Sequence, residues 1–431
     1  MVFNKYKVKQ VINITDVGHL VSDADAGEDK MMKALVREGL EPTAKSLLKI
    51  ADKYTRAFHS DFKKLNLTEP AKWPKATKHI PEMIKIIETL LKKGFAYETS
   101  AAIYYDISKF KNYGKLAKIS LEQLEAGARV EVDQEKKNPL DFVLWFKGVG
   151  KHAKHIMQWD SPFSRGFPGW HIECSAMATK YLGKQFDIHT GGMDHIPIHH
   201  TNEIAQSEAA FNVKPWVKYW MHNGFLELSK GEKMAKSGEN FVTLSVLEEK
   251  GFDALVYKYF CLGTSYRKPL MFSWEALEGA QNSFSKLKER VLDLKESNQK
   301  NIEKNQGKNK IEKYQKQFLS AVNDDLNTPQ ALAVVWDVLK DEKLGVKEKY
   351  DLVINFDKVL GLGLKDLRKD NIPKEILDLV KERETARNEK DWSKADKLRD
   401  KISEKGYSIE DEKEGVNVKK NNSNQIKIKK K

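Results

Sequence analysis

The chain has 431 residues, with 75 basic and 62 acidic side chains and a formal charge of +13. This length exceeds what one hydrophobic core usually serves, and a 40% hydrophobic share excludes a largely disordered chain. No run of about 18 apolar residues exists, which excludes a transmembrane helix, and the N-terminus lacks the apolar core of a secretory signal. We therefore expect two or three folded domains, no membrane partner and an anionic partner.

Cysteine usage and the basic C-terminus add two expectations. The two cysteines, Cys174 and Cys261, exclude a disulfide framework and fit a reducing cytoplasm. The last 13 residues, 419–431, hold six lysines and no acidic residue. They predict a disordered basic tail, which serves either as a solubilising terminus or for loose attachment to nucleic acid.

The N-terminal part of the chain alternates strand and helix patterns. Residues 8–14 predict a buried strand, and residues 29–67 have the apolar spacing of a long helix. Residues 81–93 form an amphipathic pattern that begins at Pro81 and stops before Gly94, which predicts another helix. The short β patterns near 95–150 indicate an insertion.

The rest of the chain separates into a loop-rich part and a helical part. Residues 165–240 are rich in Gly, His and aromatic residues, a composition typical of active-site loops. From Trp274 onward the pattern is nearly all helical, with a polar linker at 296–310 and helices from 311 to about 360. Residues 374–409 predict two helices followed by a short strand.

A candidate metal site is formed by Cys174, His199 and Glu203. His199 and Glu203 are four residues apart, which places both side chains on one face of a helix. Cysteine, histidine and glutamate are all zinc ligands, and a thiolate disfavours magnesium or calcium. The alternative is a core cysteine near an ordinary His–Glu pair on a helix.

A candidate small-molecule pocket surrounds these residues. The segment 187–200 holds four of the 11 histidines, together with two adjacent glycines that allow close approach of a ligand to the backbone. Asp194 in this segment could bind an ammonium group, and Trp170 with His171 could wall the pocket. The alternatives are a tight turn before a helix and a core tryptophan.

A lysine-rich loop at 230–240 carries Lys233 and Lys236, three residues apart. Two lysines on a loop suit a polyphosphate whose charge moves during a reaction, although the spacing is not that of a P-loop. The alternative is a charged surface hairpin.

Taken together and in this order, the motifs resemble those of the cysteine–tRNA ligase (cysteinyl-tRNA synthetase) family of class I aminoacyl-tRNA synthetases. The resemblance runs through essentially the whole chain. Its densest blocks are PGWHIECSAM, FDIHTGGMDHIPIHHTNEIAQSEA, KYWMHNGFLELSKGEKMAKSGENFVTL, NDDLNTPQAL and ARNEKDWSKADKLRDKI.

The resemblance implies roles for the candidate site residues. Cys174, His199 and Glu203 match three of the four zinc ligands of the family, in which zinc binds the thiolate of the substrate cysteine. A thiolate is a strong zinc ligand and the hydroxyl of serine is not, which accounts for selectivity without editing. The family's pocket for the amino acid matches Thr15, Trp170, His171 and Asp194.

The resemblance also implies the reaction. Residues 233–237, KMAKS, match the K-M-S-K-S loop, with Ala235 in place of the first serine; Lys233 and Lys236 are the expected catalytic residues, and Lys236 meets ATP. The cysteine carboxylate attacks the α-phosphate of ATP, with Mg²⁺, and releases pyrophosphate. The terminal ribose of the tRNA then accepts the cysteinyl group.

The C-terminal helices resemble the tRNA-binding region of the family. Arg387, Trp392, Asp396 and Asp411 match positions in its small anticodon-binding domain. A tryptophan can stack on an unpaired base, and carboxylates can accept hydrogen bonds from base amino groups. The alternative is helix packing and surface ion pairs.

One departure concerns the start of the chain. In the family, a strand with the fourth zinc ligand and an H-I-G-H signature precede the segment that begins here, so about 30–50 residues, or one strand, turn and helix, are missing by comparison. We expect a fragment of a complete ligase. The alternative is a shortened product that cannot aminoacylate.

The resulting expectation is an α/β protein: a Rossmann-like class I synthetase catalytic domain, truncated at its start, followed by an all-α tRNA-binding region. The predicted division is a catalytic domain at 1–275 with its insertion near 95–150, a helical bundle at 276–372, an anticodon-binding domain at 373–418 and the tail. We expect a cytoplasmic monomer. Two other hypotheses remain: a ligase that transfers cysteine to a sugar amine, and a non-catalytic tRNA-binding remnant.

Overall fold

A computed structural model describes residues 6–17, 30–118, 134–228, 242–300, 308–368, 372–412 and 415–420. The chain divides into two compact units. The first comprises Met1–Ser60 and Thr68–Phe225, and the second comprises Asp61–Leu67 and Leu226–Lys431. Among the described helices, none is long and apolar enough to cross a membrane. The lysine loop and residues 421–431 of the basic tail lie outside the described residues.

The N-terminal segment of the first unit forms less strand than its sequence predicts. Within residues 8–14, Val11 and Ile14 make isolated parallel bridges to Lys72 and Lys75. Backbone hydrogen bonds reinforce this pairing, including the bond from the Ile14 amide to the Pro74 carbonyl at 2.8 Å. The segment is therefore held against residues 71–76 by its backbone.

The long helix predicted over residues 29–67 is two helices, α1 (Lys30–Arg37) and α2 (Ala44–Lys64). The chain turns at Gly39, whose φ of +63° is unstrained only for glycine. Pro42 cannot continue a helix, and the Thr43 hydroxyl accepts a hydrogen bond from the Ser46 amide at 3.1 Å to begin α2. Both helices follow the predicted apolar periodicity, but the turn and the capping residue divide the segment in two.

Helix α3 (Ile80–Lys92) confirms the amphipathic helix predicted from Pro81. Proline occupies its first turn, where the missing N–H costs nothing, and Gly94 follows its end with a φ of +77°. Its apolar face, including Met83 and Leu90, is fully buried in the main core of the unit.

The β patterns near 95–150 form an antiparallel sheet. Its strands β1 (Ala96–Glu98), β2 (Ala102–Tyr105), β3 (Phe142–Lys147) and β4 (Gly166–Pro168) lie in sequence order. Strand β3 is buried over most of its length and supplies Trp145 to the core.

A second group of elements positions the candidate site. Helix α4 (Trp170–Leu182) precedes β5 (Phe186–Gly192), α5 (His199–Phe211) and β6 (Val217–Asn223). Strands β5 and β6 pair in parallel, so β5–α5–β6 is a β–α–β unit. Because ligands in such units bind at the carboxyl ends of the strands, this topology directs attention to Gly192 and the start of α5.

The second unit begins with a short parallel pair and continues as helices. Strand β7 (Leu226–Leu228) pairs with β8 (Leu270–Phe272), with α6 (Leu244–Glu249) and α7 (Ala254–Leu262) between them. Helix α8 (Trp274–Lys300) and helix α9 (Lys308–Asn323) extend into both ends of the predicted 296–310 linker. Helices α10 (Thr328–Lys340) and α11 (Val346–Leu360) follow, and Phe318 stacks on Phe356 with ring centroids 4.1 Å apart.

The C-terminal part has its own small core. Helices α12 (Lys374–Asn388) and α13 (Trp392–Glu404) precede strand β9 (Tyr407–Glu412), as the pattern at 374–409 predicts, and β9 forms an unpredicted hairpin with β10 (Gly415–Lys420). Strand β10 reaches into the start of the predicted tail. The shared apolar cluster includes Ile376, Leu398, Ile402 and Ile409.

Candidate metal centre and active site

The three predicted metal ligands lie together in the first unit. Cys174 is on α4, His199 is the first residue of α5, and Glu203 follows one helical turn later. Their ligand atoms lie within 4.8 Å of one another, and all three side chains are buried. Nε2 of His199 is 3.0 Å from Oε1 of Glu203. Cys174, 25 positions before His199 in the sequence, thus lies beside the His–Glu pair of α5.

Buried polar contacts tie α4 to α5. The Gln206 side-chain amide donates to the His171 carbonyl at 2.6 Å and to the Ser175 hydroxyl at 2.7 Å. The Ser207 hydroxyl donates to the same Ser175 oxygen at 2.8 Å. Buried hydrogen bonds with good geometry fix the relative position of the helices, and with it the distance from Cys174 to α5.

The electrostatics of the cluster favour a bound cation. Burial raises the pKa of the Cys174 thiol well above its usual value. Burial also raises the pKa of the Glu203 carboxyl, and its ion-pair contacts among the described residues are with two imidazoles, those of His189 and His199. A buried carboxylate is costly without a compensating charge. A thiolate, an imidazole and a carboxylate fit a borderline-soft divalent ion such as zinc.

Asn13 is a contact of this cluster that the sequence pattern does not single out. Its side chain hydrogen-bonds to the Cys174 thiol, which favours the thiolate and opposes the effect of burial on the pKa. Asn13 lies between the two residues that bridge to 72–75. In the sequence, the position of Asn13 at the polar end of the predicted strand is the feature that could have indicated this contact.

The predicted aromatic wall contacts the metal-ligand set directly. The ring of Trp170 lies 4.2 Å from the ring of His199. His171 is buried, and its Nδ1 is 2.9 Å from Nδ1 of His199. Both residues belong to the first turn of α4, so one helix terminus supplies the wall and a ligand.

Thr15 and Asp194, the other predicted pocket residues, are both exposed, so their side chains are accessible to a ligand. The neighbouring Asp16 is buried and accepts hydrogen bonds from the amide and hydroxyl of Thr77 at 2.8 and 2.7 Å. At Gly192 a Cβ would lie 2.3 Å from Oδ1 of Asp194. A larger residue at this position would have to displace the Asp194 carboxylate.

The histidine-rich segment brings more imidazoles to the cluster than the predicted ligand set contains. Ligand atoms of His189, His200 and Glu203 also lie within 4.8 Å of one another. Nδ1 of His200 is 2.8 Å from Nε2 of His222, a residue of β6. The histidine density of 187–200 indicates this grouping, but the contribution of His222 depends on the pairing of β5 with β6.

The remaining predicted site residues fall elsewhere. Lys233 and Lys236 lie outside the described residues. In the C-terminal part, Arg387 is in the last turn of α12 and Trp392 is the first residue of α13, with 60% of its surface exposed. Asp396 is exposed on α13, and Asp411 is in β9, its side chain outside the described set. The exposure of Trp392 leaves its ring accessible to a ligand.

Comparison with known protein families accounts for most of the chain. Residues 1–282 match the class I (C) tRNA synthetase catalytic domain, residues 317–365 match the DALR domain, and residues 369–418 match the cysteinyl-tRNA ligase anticodon-binding domain. The predicted fold class, a class I synthetase catalytic domain followed by a helical region, is confirmed.

Individual relatives agree with the domain matches. The cysteine–tRNA ligase of Treponema denticola is 45% identical over 435 residues, covering 95% of this chain and 87% of that protein. Cysteine–tRNA ligase 1 of Burkholderia lata is 44% identical, covering 96% of this chain and 84% of that protein. The cysteine–tRNA ligase of Thermus thermophilus is 40% identical, covering 95% of this chain and 86% of that protein. The chain therefore belongs to the cysteine–tRNA ligase family of class I aminoacyl-tRNA synthetases.

Proposed function

We propose that this protein ligates L-cysteine to tRNA(Cys) in an ATP-dependent reaction that passes through a cysteinyl-adenylate. The observation that carries the proposal is the buried set of Cys174, His199 and Glu203, whose ligand atoms lie within 4.8 Å of one another. Family membership supplies the reaction class, and this set supplies a chemical basis for choosing cysteine.

Selection of the substrate is assigned to a single zinc ion held by Cys174, His199 and Glu203. When bound, zinc would offer a coordination position to the substrate thiolate, for which the hydroxyl of serine is a poor substitute. The chain's own residues then build the rest of the pocket. Trp170 covers one side of the His199 ring, and the exposed carboxylate of Asp194 can hold the substrate ammonium group.

Activation of the amino acid is assigned to the lysine loop. Lys233 and Lys236 would neutralise the triphosphate together with Mg²⁺ while the cysteine carboxylate attacks the α-phosphate and pyrophosphate leaves. The ribose hydroxyl of the tRNA's terminal adenosine then takes the cysteinyl group and releases AMP. We propose that the protein works as a cytoplasmic monomer.

Recognition of the tRNA is assigned to the C-terminal region. A 60% exposed Trp392 at the start of α13 can stack on an unpaired anticodon base. Arg387, Asp396 and Asp411 would contribute a guanidinium and two hydrogen-bond acceptors. The division into domains at 1–275, 276–372 and 373–418, with the tail at 419–431, belongs to the same proposal.

Two assays on the purified full chain test the proposal. Cysteine-dependent exchange between ATP and pyrophosphate reports activation, and attachment of labelled cysteine to tRNA(Cys) reports transfer; we expect both, with serine inactive in both. Exchange without charging would favour a ligase that acts on a sugar amine. Tight tRNA binding without exchange would indicate a non-catalytic tRNA-binding protein and overturn the proposal.

A further inference from the structure

The two oxygens of the Glu203 carboxylate face two different histidines. Oε1 is 3.0 Å from Nε2 of His199, and Oε2 is 3.3 Å from Nε2 of His189. The Glu203 side chain is completely buried, and the His189 side chain is only 14% exposed. One carboxylate oxygen therefore belongs to the proposed metal-ligand set, and the other lies against a histidine on a neighbouring strand.

The His189 ring is held in place by aromatic neighbours. It lies on β5, and its centroid is 4.8 Å from the ring of Trp220, 5.8 Å from that of Phe186 and 5.9 Å from that of Trp216. The ring of His200 meets it edge-on at 4.8 Å. A ring enclosed on this many sides has few alternative rotamers, so its Nε2 stays close to the carboxylate. The contact is a close approach and not a formed hydrogen bond, since both Glu203 oxygens are buried without a hydrogen-bond partner among the described residues.

We propose that His189 is a positioning residue for the metal site: with a metal held by Cys174 and His199, its nearby Nε2–H donates to Oε2 of Glu203 and thereby presents Oε1 to that metal. The inference rests on the proposed zinc role. Ligating carboxylates are commonly oriented by hydrogen bonds from a second layer of residues, and removal of such a partner lowers metal affinity about 10- to 100-fold.

A competing arrangement uses the same atoms. His189, His200 and Glu203 could themselves hold a second ion, since their ligand atoms also lie within 4.8 Å of one another. That ion would compete for Glu203 with a set that includes a soft thiolate ligand. Because a borderline-soft metal favours the thiolate, we assign a single ion to the Cys174 side and an orienting role to His189.

The test measures zinc on the full-length protein by its content per chain and by competition with a chromogenic chelator. His189→Leu removes the donor, His189→Asn retracts it from Oε2, and His189→Gln places an amide N–H near the position of Nε2. We expect zinc affinity to fall about 10- to 100-fold in His189→Leu and less in His189→Asn, and to stay near the wild-type value in His189→Gln. Should His189→Leu fail to fold, comparing the zinc affinity of His189→Asn with that of His189→Gln still tests the positioning role.

A matched control is His222→Leu, which removes another histidine of the same group, one that contacts His200 at 2.8 Å and stacks on Trp220. It should leave zinc affinity unchanged. Equal zinc affinity in wild type, His189→Leu and His189→Asn would overturn the positioning role while leaving the proposed function standing. Two zinc ions per wild-type chain, one of them lost in His189→Leu, would show a second metal site instead. A wild-type chain that binds no zinc would overturn both the positioning role and the proposed zinc site.

Discussion

The two units bury their polar side chains in different ways. Of the buried polar and charged side chains in the described residues, all but three lie in the first unit. Many of these are on α4 and α5, two helices that bury histidines, carboxylates, hydroxyls and amides with almost no exposure. The second unit buries Glu348, Asp357 and Arg383.

In the second unit, buried carboxylates complete the hydrogen bonding of the backbone. Asp357 accepts from the amides of Leu362 and Leu364 at 2.7 and 2.8 Å, where the chain leaves α11 through two glycines with positive φ. Glu348 accepts from the Gly345 amide at 3.0 Å at the start of the same helix. In the first unit, Glu203 instead faces imidazoles and a thiol. Buried carboxylates thus complete backbone hydrogen bonding in both units, as Asp16 does at the Thr77 amide, whereas Glu203 lies among candidate metal ligands.

The largest expected effect is the loss of zinc when a proposed metal ligand of the first unit is removed. Cys174→Ala should lose stoichiometric zinc, with affinity falling by more than about 100-fold, because a direct ligand contributes more than an orienting partner. Cysteine-dependent ATP–pyrophosphate exchange should fall with it. Metal content by mass spectrometry measures the loss, and Cys261→Ala, on α7 in the second unit, is the matched control. Full zinc in Cys174→Ala would refute the assignment of the ligand.

The next effect is on stability in the second unit. Asp357→Ala leaves two buried amides without their acceptor, which should lower the free energy of unfolding by about 2–4 kcal/mol. Zinc content should be unchanged, in contrast to Cys174→Ala. Urea denaturation provides the measurement. Asp351→Asn removes an exposed ion pair with Lys347 and should change stability by less than about 0.5 kcal/mol; equal losses in the two variants would contradict the capping role.

A smaller effect is expected at the exposed Trp392. Trp392→Ala should weaken binding of tRNA(Cys) by about 1–3 kcal/mol, the range for stacking of a base on an aromatic side chain. Cysteine-dependent exchange without tRNA should stay at the wild-type level. Filter binding compares the variant with Trp392→Phe, which keeps an aromatic face. Unchanged affinity in the Ala variant would assign the tryptophan no role in tRNA binding.

The smallest effect is a pH dependence in the helical bundle. The pKa of Asp341 is lowered to about 2, chiefly by its hydrogen bond with Lys310 and then by the Lys343 amide. Since the folded pKa lies below the unfolded value, this carboxylate stabilises the fold above about pH 4, and the contribution disappears as pH falls through 2. Asp341→Asn should therefore cost about 1 kcal/mol or less near neutral pH. Denaturation curves should converge at the acid end; a constant difference down to pH 2 would exclude ionisation as the cause.

Several elements of both units follow from local sequence signals. Helix α3 follows from its apolar periodicity, from Pro81 in its first turn and from Gly94 after its end. The two helices within residues 374–409 are likewise predicted by their apolar spacing. The division of residues 29–67 between α1 and α2 does not follow from periodicity, because a regular apolar spacing persists across the turn that Gly39 and Pro42 make.

The ligand chemistry of the candidate metal site is readable from the chain alone, as is the juxtaposition of His199 and Glu203, since a four-residue spacing on a helix places both on one face wherever that helix lies. Only the tertiary structure decided that Cys174 joins them, because this requires α4 to pack on α5 through Gln206 and Ser175. It also decided that His189 faces Glu203, which depends on the position of α5 beside β5, and that His222 reaches His200, which depends on the parallel pairing of β5 with β6. Spacing along one helix is a local property, whereas contacts between elements are set by packing of the whole core.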